Sequence, residues 1–375
     1  MTFYNSYPGF LYRQFLVCPP KAPSSTSLDN KTGIITGSNT GLGYQASVQL
    51  LHLGLSHLIL AVRNIPKGEA ARKSLLASLP PTTKPPTIEI WELDMANYPS
   101  IISFISRVKS STLTFDFILL NAGIANFTYT LNPSTSHEST IQINWLSTAL
   151  LTLLLLPILD TQATNNPHSP RPVLSIVSSE TAAWAKFTEA EISTTSQTTL
   201  LSALDNDSNF DMGDRYYTSK LLYQLFFVEL YTNHRSAAQR STGAILNLVN
   251  PGFCYGSELH RSAGGVFGRV LAGVKRVVGR STAMGARTLV HAVVLAGEES
   301  DGRYLSDCRL GPFAGLVGSE RGRVVRGRVW EETVGEVRGW CVWMWMGWLG
   351  GFEVCVGCGF YSSIFCFDRY CWWKA

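Results

Sequence analysis

The sequence Thr32-Gly-Ile-Ile-Thr36-Gly37-Ser38-Asn39-Thr40-Gly41-Leu42-Gly43 joins an apolar run to a glycine-rich turn. Residues 44–53 follow with apolar side chains at helical spacing, so the segment predicts a strand, a tight turn and a helix. Glycine has no Cβ and lets a backbone approach a ligand closely, and a helix N-terminus favours anions such as phosphate. Because the spacing is G-x-x-x-G-x-G and not the common G-x-G-x-x-G, the turn could by itself be an ordinary connector.

Further apolar runs of strand length alternate with helix-length segments. They lack a polar-apolar alternation, which is typical of parallel strands that are covered on both faces. Strand–helix–strand units favour right-handed crossovers, and the pattern predicts an α/β fold with a Rossmann-like, doubly wound parallel sheet flanked by helices in a single domain. The predicted strands are residues 32–36, 58–62, 88–93, 115–120, 173–177 and 244–249.

Composition excludes several classes of protein. The 375 residues are 15% charged, compared with about 25% in a typical domain, which argues against a disordered or coiled-coil chain. A net charge of +4 is too small to indicate a nucleic-acid partner. Most of the eight Cys crowd the C-terminal end, so they form no disulfide framework for a large domain. With no secretory signal pattern, we expect a cytoplasmic protein.

The chain divides into three parts. Residues 1–30 are predicted to form an extended N-terminal arm, because Pro19, Pro20 and Pro23 cannot continue a helix or a sheet. Residues 31–338 carry the strand and helix pattern. Residues 339–375 form an atypical tail rich in Trp and Cys without a helical period. We consider three interpretations of this tail: a membrane anchor, an interface segment, and a segment outside the fold. We favour the last, for instance a segment produced by translation past an exon end.

The most apolar internal segment is residues 145–159. It is shorter than the roughly 20 residues needed to cross a bilayer, so we predict a buried helix on the sheet. Any membrane association is therefore expected only through the C-terminal tail.

Three further positions suggest chemistry. Arg63 follows the second strand in a stretch without acidic residues, which favours the 2′-phosphate of NADP over the ribose hydroxyls of NAD, although a solvated loop Arg is the alternative. Tyr216 and Lys220 lie four residues apart on one helix face, where an ammonium can lower the pKa of a phenol. Ser179 follows the fifth strand, where parallel sheets bind ligands, but it could be a simple helix cap.

Several of these motifs occur together and in order, and the chain resembles the short-chain dehydrogenase/reductase family over about residues 31–332. The resemblance rests on Thr36-Gly-x-x-x-Gly41-x-Gly43, Asp94, Asn121-Ala122-Gly123, Asn144, Ser179, Tyr216-x-x-x-Lys220 and Asn250-Pro251-Gly252. Finer features are similar to the retinol-dehydrogenase-like branch and to reductases of filamentous-fungal secondary metabolism. They include the Phe15–Pro20 segment of the arm, Gly279-Arg280-Ser281-Thr282 and residues 302–308.

The resemblance implies a role for each matching residue. Tyr216 would protonate the carbonyl oxygen, Lys220 would lower the pKa of Tyr216, and Ser179 would hydrogen-bond the substrate oxygen. Asn144 would hold a water that connects Lys220 to solvent. The implied cofactor-binding residues are Gly37, Ser38, Asn39, Thr40, Gly41, Leu42, Gly43, Arg63, Asp94, Asn121, Ala122, Gly123, Tyr216, Lys220, Pro251 and Gly252.

The chain departs from the family pattern at three places. Leu120 precedes Asn121 where an Asn is frequent, and Phe253-Cys254-Tyr255 stands where a Thr often touches the cofactor. Residues 180–215 form an insertion between Ser179 and Tyr216, and we expect its acidic side chains to face water rather than the pocket. These acidic residues are Glu180, Glu189, Glu191, Asp205, Asp207, Asp211 and Asp214.

The sequence thus predicts an NADP(H)-dependent oxidoreductase that interconverts a carbonyl and an alcohol on an apolar, secondary-metabolite-like molecule. A non-catalytic nucleotide-binding or scaffolding protein and a membrane-tethered reductase are the alternatives. We expect no metal site and no nucleic-acid partner. A homodimer is possible through the helices that carry Asn144 and Tyr216, as the resemblance implies.

Overall fold

The computed structural model describes residues 3–80, 85–195, 198–260 and 265–340. The predicted strands all form, with ends shifted by no more than a few residues. The strands are β1 Thr32–Thr36, β2 His57–Val62, β3 Thr87–Glu92, β4 Phe117–Leu120, β5 Val173–Val177, β6 Ile245–Asn250, β7 Cys254–Tyr255, β8 Arg280–Ser281, β9 Tyr304–Ser306 and β10 Arg309–Gly311.

Helices connect these strands. They are α1 Tyr7–Leu16, α2 Gly41–His52, α3 Ile65–Ser78, α4 Tyr98–Ser110, α5 Ser139–Ile141, α6 Thr148–Asn165, α7 Glu189–Thr195, α8 Leu200–Leu204, α9 Arg215–Glu229, α10 Ala237–Thr242, α11 Gly265–Val278, α12 Thr282–Val290 and α13 Glu320–Val337. A π-helical segment, Gln142–Ser147, joins α5 to α6.

The central sheet confirms the Rossmann-like, doubly wound fold. Its strand order is β3-β2-β1-β4-β5-β6-β9-β10, and β10 alone in this sheet runs antiparallel to its neighbour. Ile34 of β1 pairs with Ile59 on one side and with Ile118 of β4 on the other. The chain order reverses between β1 and β4, and such a point opens a crevice at the carboxyl ends of the strands.

The core lies on both faces of this sheet. On one face, Leu50 of α2 and Leu289 of α12 pack with Ile35 and Leu60 in one buried cluster. On the other face, α6 buries 12 of its 18 residues. By length and composition alone, Ser139–Asn165 could cross a membrane, but 89% of its most apolar window is buried inside the protein. Residues 145–159 are therefore part of the buried helix that the sequence predicts.

The prediction of an extended N-terminal arm is wrong for its first half. Residues 7–16 form helix α1, which Ser6 caps by accepting a hydrogen bond from the N–H of Gly9. Pro8 stands in the first turn, where a missing N–H costs nothing, and Pro19 comes only after the helix has ended. The prolines therefore bound this helix and do not prevent it.

The insertion at residues 180–215 folds against the C-terminal helix. The Glu332 carboxylate of α13 accepts hydrogen bonds from the N–H groups of Leu200 and Leu201 at the start of α8, at 2.7 and 2.8 Å. Nearby, His137 bonds to Asp205 of the insertion at 2.7 Å and to Glu336 of α13 at 3.3 Å. Contacts with α13 thus fix the position of the insertion.

Helix α13 also covers helix α9. Trp330 of α13 stacks on Phe226 of α9, with ring centroids 5.5 Å apart, and on His234 at 3.7 Å. A homodimer through the helices that carry Asn144 and Tyr216 stays a prediction, and it would have to use surface that this chain leaves uncovered. Of the predicted tail, residues 339–340 end the described chain in a short turn, and the rest lies outside the described residues.

We predict that His137 stabilises the fold below neutral pH and does so less in alkali. Burial lowers the pKa of His137, but the hydrogen bonds that the imidazolium donates to Asp205 and Glu336 outweigh burial and raise this pKa to about 9. Because the folded pKa lies above the usual 6.5, this stabilisation is complete below about pH 6.5 and is lost as the pH rises through about 9. His137→Gln should lower the free energy of unfolding by about 1–3 kcal/mol at pH 6, measured by urea denaturation.

The difference between wild type and His137→Gln should shrink at pH 9.5. His168→Gln, in an exposed loop, is the matched control and should change stability little at either pH. An equal loss at pH 6 and pH 9.5 would show that the charge of His137 does not contribute.

Candidate active site

A cavity of about 550 Å³ opens at the carboxyl ends of the central strands. Its wall collects residues that follow β1 to β6, which is where the crevice of a doubly wound sheet lies. It contains most of the candidate site residues, namely Gly37, Asn39, Thr40, Gly41, Leu42, Arg63, Asp94, Asn121, Ala122, Gly123, Ser179, Tyr216, Lys220, Pro251 and Gly252. Ser38, Gly43 and Asn144 were also candidates, but they lie behind this wall.

The glycine turn after β1 is shaped to hold a phosphate. Gly37 and Gly41 have φ angles of +62° and +61°, which side chains with a Cβ rarely adopt. Thr40 precedes α2 but makes no side-chain cap hydrogen bond to its first turn. The free N–H groups of a helix N-terminus suit an anion, so the cavity presents such groups at this end. The buried Ser38 instead donates its hydroxyl to the carbonyl of Ile35, which stiffens the turn.

Thr36 holds β1 and β4 together beside this turn. Its hydroxyl accepts hydrogen bonds from the N–H groups of Asn121 at 2.9 Å and Ala122 at 3.0 Å. The side chain of Asn121 in turn donates to the carbonyls of Thr36 and Gly37. The Asn121 amide therefore supports the turn from behind. Thr36 begins the glycine-rich motif of the sequence analysis. The sequence did not show that it joins β1 to the end of β4, because its partner Asn121 lies 85 residues away.

The end of the cavity near β2 and β3 carries cations and one carboxylate. The exposed Arg63 and Lys67 both line it, and Asn64 between them caps α3 through the N–H of Lys67. The Asp94 carboxylate after β3 accepts a hydrogen bond from the N–H of Ala96 at 3.0 Å. Lys67 is a second basic group at the predicted 2′-phosphate position. The sequence contained a signal for it, since it follows Arg63 by four residues in a stretch without acidic residues.

Ser179 and Tyr216 meet in the middle of the cavity. Tyr216 is the second residue of α9, and Ser179 starts the short Glu180–Trp184 turn after β5. Burial raises the pKa of the Tyr216 phenol well above its usual value, and a hydrogen bond with Ser179 opposes this rise. The Ser179 hydroxyl also pairs with that of Thr181 at 2.9 Å. The phenol is therefore held in its protonated form beside a hydroxyl that can polarise a ligand oxygen.

Lys220 lies one turn further along α9. Its ammonium donates to the carbonyl of Val177 at 2.8 Å and lies 5.9 Å from the centre of the Tyr216 ring. Burial lowers the pKa of Lys220 to about 8, so the group is still mostly charged at neutral pH. The site thus places a positive charge near a buried phenol, but burial dominates and the net shift of the Tyr216 pKa is upward. That Lys220 lowers this pKa stays a prediction.

Asn144 braces the loop after β4. It lies in the π-helical segment, accepts a hydrogen bond from the N–H of Ile124 and donates to the Ile124 carbonyl and the Ser219 hydroxyl, at 2.8 to 3.0 Å. The structure shows it bridging that loop and α9. Its expected role in holding a water next to Lys220 stays a prediction.

Helix α1 closes one side of the cavity, which sequence reasoning missed. Arg13 forms a buried ion pair with Glu180, the residue after Ser179, and also approaches Asp307 at 3.5 Å. Arg280 completes this buried charge cluster through Asp307, at 2.6 Å. The sequence signal was weak, because Arg280 and Asp307 stood only in segments that resembled one branch of the family.

Gln14, also on α1, binds the backbone of the loop after β6. Its amide donates to the carbonyl of Phe253 and accepts from the Phe253 N–H, at 2.5 and 3.3 Å. This two-point contact holds the segment after Pro251-Gly252, where the family often has a Thr. Further along the chain, residues 261–264 lie outside the described residues, and α11 follows them.

The expectation that the acidic residues of the insertion face water is wrong for three of them. Glu180 pairs with Arg13, and the buried Glu189 pairs with Arg215 at 3.2 Å. The buried Asp214 accepts hydrogen bonds from the backbone N–H of Lys186 and from the hydroxyl of Thr218. They are buried because cationic and polar partners from distant segments meet them. Glu191, Asp207 and Asp211 are exposed, and Asp205 is half-buried.

These residues fit a nicotinamide dinucleotide. The turn offers N–H groups for the phosphates, Arg63 and Lys67 can bind a further phosphate, and Tyr216 and Lys220 stand where the reactive end would lie. Metal chemistry is not needed for such a site, because the dinucleotide itself carries the redox change.

Comparison with known proteins agrees with this arrangement. Residues 31–166 match the family model described as short chain dehydrogenase. The short chain dehydrogenase/reductase mfmJ of Annulohypoxylon moriforme is 39% identical over 88% of this chain and 91% of that protein. The short-chain dehydrogenase fogG of Aspergillus ruber is 37% identical over 86% of this chain and 89% of that protein.

Solved structures share the fold. One is the 3-ketoacyl-(acyl-carrier-protein) reductase from Brucella melitensis complexed with NADH, with a TM-score of 0.51 and 15% identity. The alignment covers 75% of this chain and 97% of that one. At this low identity the similarity concerns the fold alone.

We predict that Arg13 is essential for stability. Arg13→Met leaves the buried carboxylates of Glu180 and Asp307 without one of their cationic partners, and an uncompensated buried charge typically costs about 3–5 kcal/mol. The free energy of unfolding in urea should fall by that amount. The control Arg323→Met removes a side chain that is 71% exposed and should change it by no more than about 0.5 kcal/mol. Equal effects of the two substitutions would refute the role of the cluster.

Proposed function

Since the chain belongs to the short-chain dehydrogenase/reductase family, we propose that it is an NADP(H)-dependent oxidoreductase that interconverts a ketone or aldehyde and an alcohol on an apolar small molecule. The observation that carries this proposal is that Ser179, Tyr216 and Lys220 line one cavity with the glycine turn. When bound, the dinucleotide supplies or accepts the hydride. The protein residues bind, orient and exchange the proton.

Tyr216 is the proposed proton donor. Because burial keeps its phenol protonated, the resting enzyme holds the form that can donate a proton to a carbonyl oxygen. The Ser179 hydroxyl would donate a hydrogen bond to the same oxygen and stabilise its developing negative charge. In the reverse direction, oxidation of an alcohol, the phenolate would accept the proton instead.

Lys220 would stabilise the phenolate that Tyr216 becomes when it loses that proton. A neighbouring ammonium stabilises phenolate, and Lys220 retains its charge at neutral pH with a pKa of about 8. Its buried position also brings it to the part of the cavity that Asn121, Ala122 and Gly123 line. The same ammonium can therefore serve Tyr216 and hold a cofactor hydroxyl.

The choice of NADP(H) rests on Arg63. Arg binds a phosphate through several N–H donors, and Lys67 adds a second positive charge at the same end of the cavity. We also propose a substrate of the secondary-metabolite type, which the apolar lining and the fungal relatives support. A cytoplasmic location is supported by Cys18, Cys254 and Cys308, which are free thiols within the described part of the chain.

Tyr216→Phe should abolish carbonyl reduction. The substitution removes the proton donor but keeps the ring, so kcat should fall by at least about 100-fold while NADPH binding stays near wild type. Turnover over a panel of apolar ketones and aldehydes is followed by NADPH absorbance. Tyr223→Phe is the matched control, because Tyr223 is a buried phenol on the same helix that bonds to Thr152 outside the cavity.

Wild-type turnover by Tyr216→Phe would refute the assignment. Binding of NADPH by the wild-type protein without turnover of any carbonyl in the panel would instead support the non-catalytic alternative.

Arg63→Ala should weaken the binding of NADPH but not that of NADH. Loss of charge-assisted hydrogen bonds to a phosphate should raise the Kd for NADPH by about 10- to 100-fold, with little change for NADH, measured by fluorescence titration. Arg72→Ala, on helix α3 outside the cavity lining and paired with Glu69, is the control. An equal loss for NADPH and NADH would show that Arg63 does not select the 2′-phosphate.

A further inference from the structure

Five aromatic side chains form one wall of the cavity next to Tyr216. We call this set the aromatic wall, and each member lines the cavity. Tyr7 and Phe10 come from α1, Trp184 from the turn after Ser179, Tyr217 from α9 and Phe253 from the loop after β6. Four separate segments therefore contribute rings to a single surface.

Trp184 lies at the centre of this wall. Its ring centroid is 5.3 Å from that of Phe10 in an edge-to-face arrangement, and 6.1 Å from those of both Tyr7 and Tyr217. Tyr217 is in turn 6.3 Å from Tyr216, so the ring contacts continue to the proposed proton donor. These separations lie in the range in which aromatic rings attract one another through their quadrupoles.

The ring of Trp184 is fixed in orientation. Its indole N–H donates to the carbonyl of Asn5 at 3.0 Å, so this donor is already engaged by the protein. Glu180, the nearby charged group on the cavity wall, is engaged by Arg13. The wall therefore offers ring faces and edges to a ligand, and its neighbouring charge is already compensated.

From these contacts we propose that the substrate is a neutral aromatic carbonyl compound. Its ring would pack on the aromatic wall while its carbonyl oxygen reaches Tyr216 and Ser179. Aliphatic side chains would serve equally well for burial of apolar area, but rings held in place attract a second aromatic ring by more than the burial of area alone. This inference rests on the proposed carbonyl chemistry and adds the class of substrate to it.

The test uses two ketones that differ only in aromaticity at a distance from the carbonyl. 2-Tetralone and 2-decalone have the same bicyclic skeleton, and in both the carbonyl lies on a saturated ring. The kcat/KM of each is measured with NADPH and the full chain, and binding of each to the enzyme is measured by calorimetry. We expect wild type to favour 2-tetralone by about tenfold or more.

Variants in the wall should change this ratio. Trp184→Leu should reduce the preference to about twofold, whereas Trp184→Phe should retain most of it. Tyr7→Leu should reduce it to an intermediate value, and since Tyr7 is 62% exposed its loss does not threaten the fold. Tyr12→Leu is the control, because Tyr12 lies on the same helix but outside the cavity wall, and the ratio should stay at the wild-type value.

The outcomes separate this inference from the proposed function. Two results would refute an aromatic substrate and leave the reductase assignment intact. One is an equal kcat/KM for the two ketones in wild type, and the other is a preference that survives both Trp184→Leu and Tyr7→Leu. Tighter binding of 2-tetralone than of 2-decalone, without reduction of either ketone, would support an aromatic ligand and count against the reductase assignment. If Trp184→Leu does not fold, Tyr7→Leu decides the question.

Discussion

The hydrogen bonds that Thr36 accepts from Asn121 and Ala122 join β1 to β4 at the point where the strand order of the sheet reverses. Every other part of the site is placed relative to this junction. The turn after β1 leads into the uncapped N-terminus of α2, and the loop after β4 extends toward Asn144 and Lys220. A parallel sheet brings the ends of its strands to one edge, so a single contact here positions groups from opposite halves of the chain.

Burial acts in opposite directions on the pKa values of the two groups in the proposed proton transfer. It raises the pKa of the Tyr216 phenol and lowers that of the Lys220 ammonium, because low polarity disfavours either charged form. Without a ligand the pair therefore rests as a neutral phenol beside an ammonium with a pKa of about 8. In the proposed reaction, the ammonium nearby would stabilise the phenolate that forms when the proton leaves.

Charge pairing fixes the walls of the cavity. Arg13 of α1, Arg280 before α12, and the carboxylates of Glu180 and Asp307 form a buried cluster that connects the N-terminal helix to the residue after Ser179. Each charge would be costly in isolation, so the cluster holds these segments in one arrangement. Phe10 lies on the same helix as Arg13 and Trp184 in the same short turn as Glu180, and the two rings meet edge to face at the cavity wall. Stability and the shape of the substrate site thus depend on the same contacts.

What the sequence alone determined was local. Apolar runs predicted the parallel strands, and Gly37, Gly41 and the Tyr216–Lys220 spacing indicated a nucleotide turn and a proton-transfer pair, because these signals lie within one strand, turn or helix. It could not reveal that α1 closes the cavity, since Arg13 and Glu180 meet across 167 positions. Nor could it show that Asn121 supports the turn from behind or that acidic residues of the insertion are buried. Those outcomes depend on which distant groups become neighbours, and only the folded chain decides that.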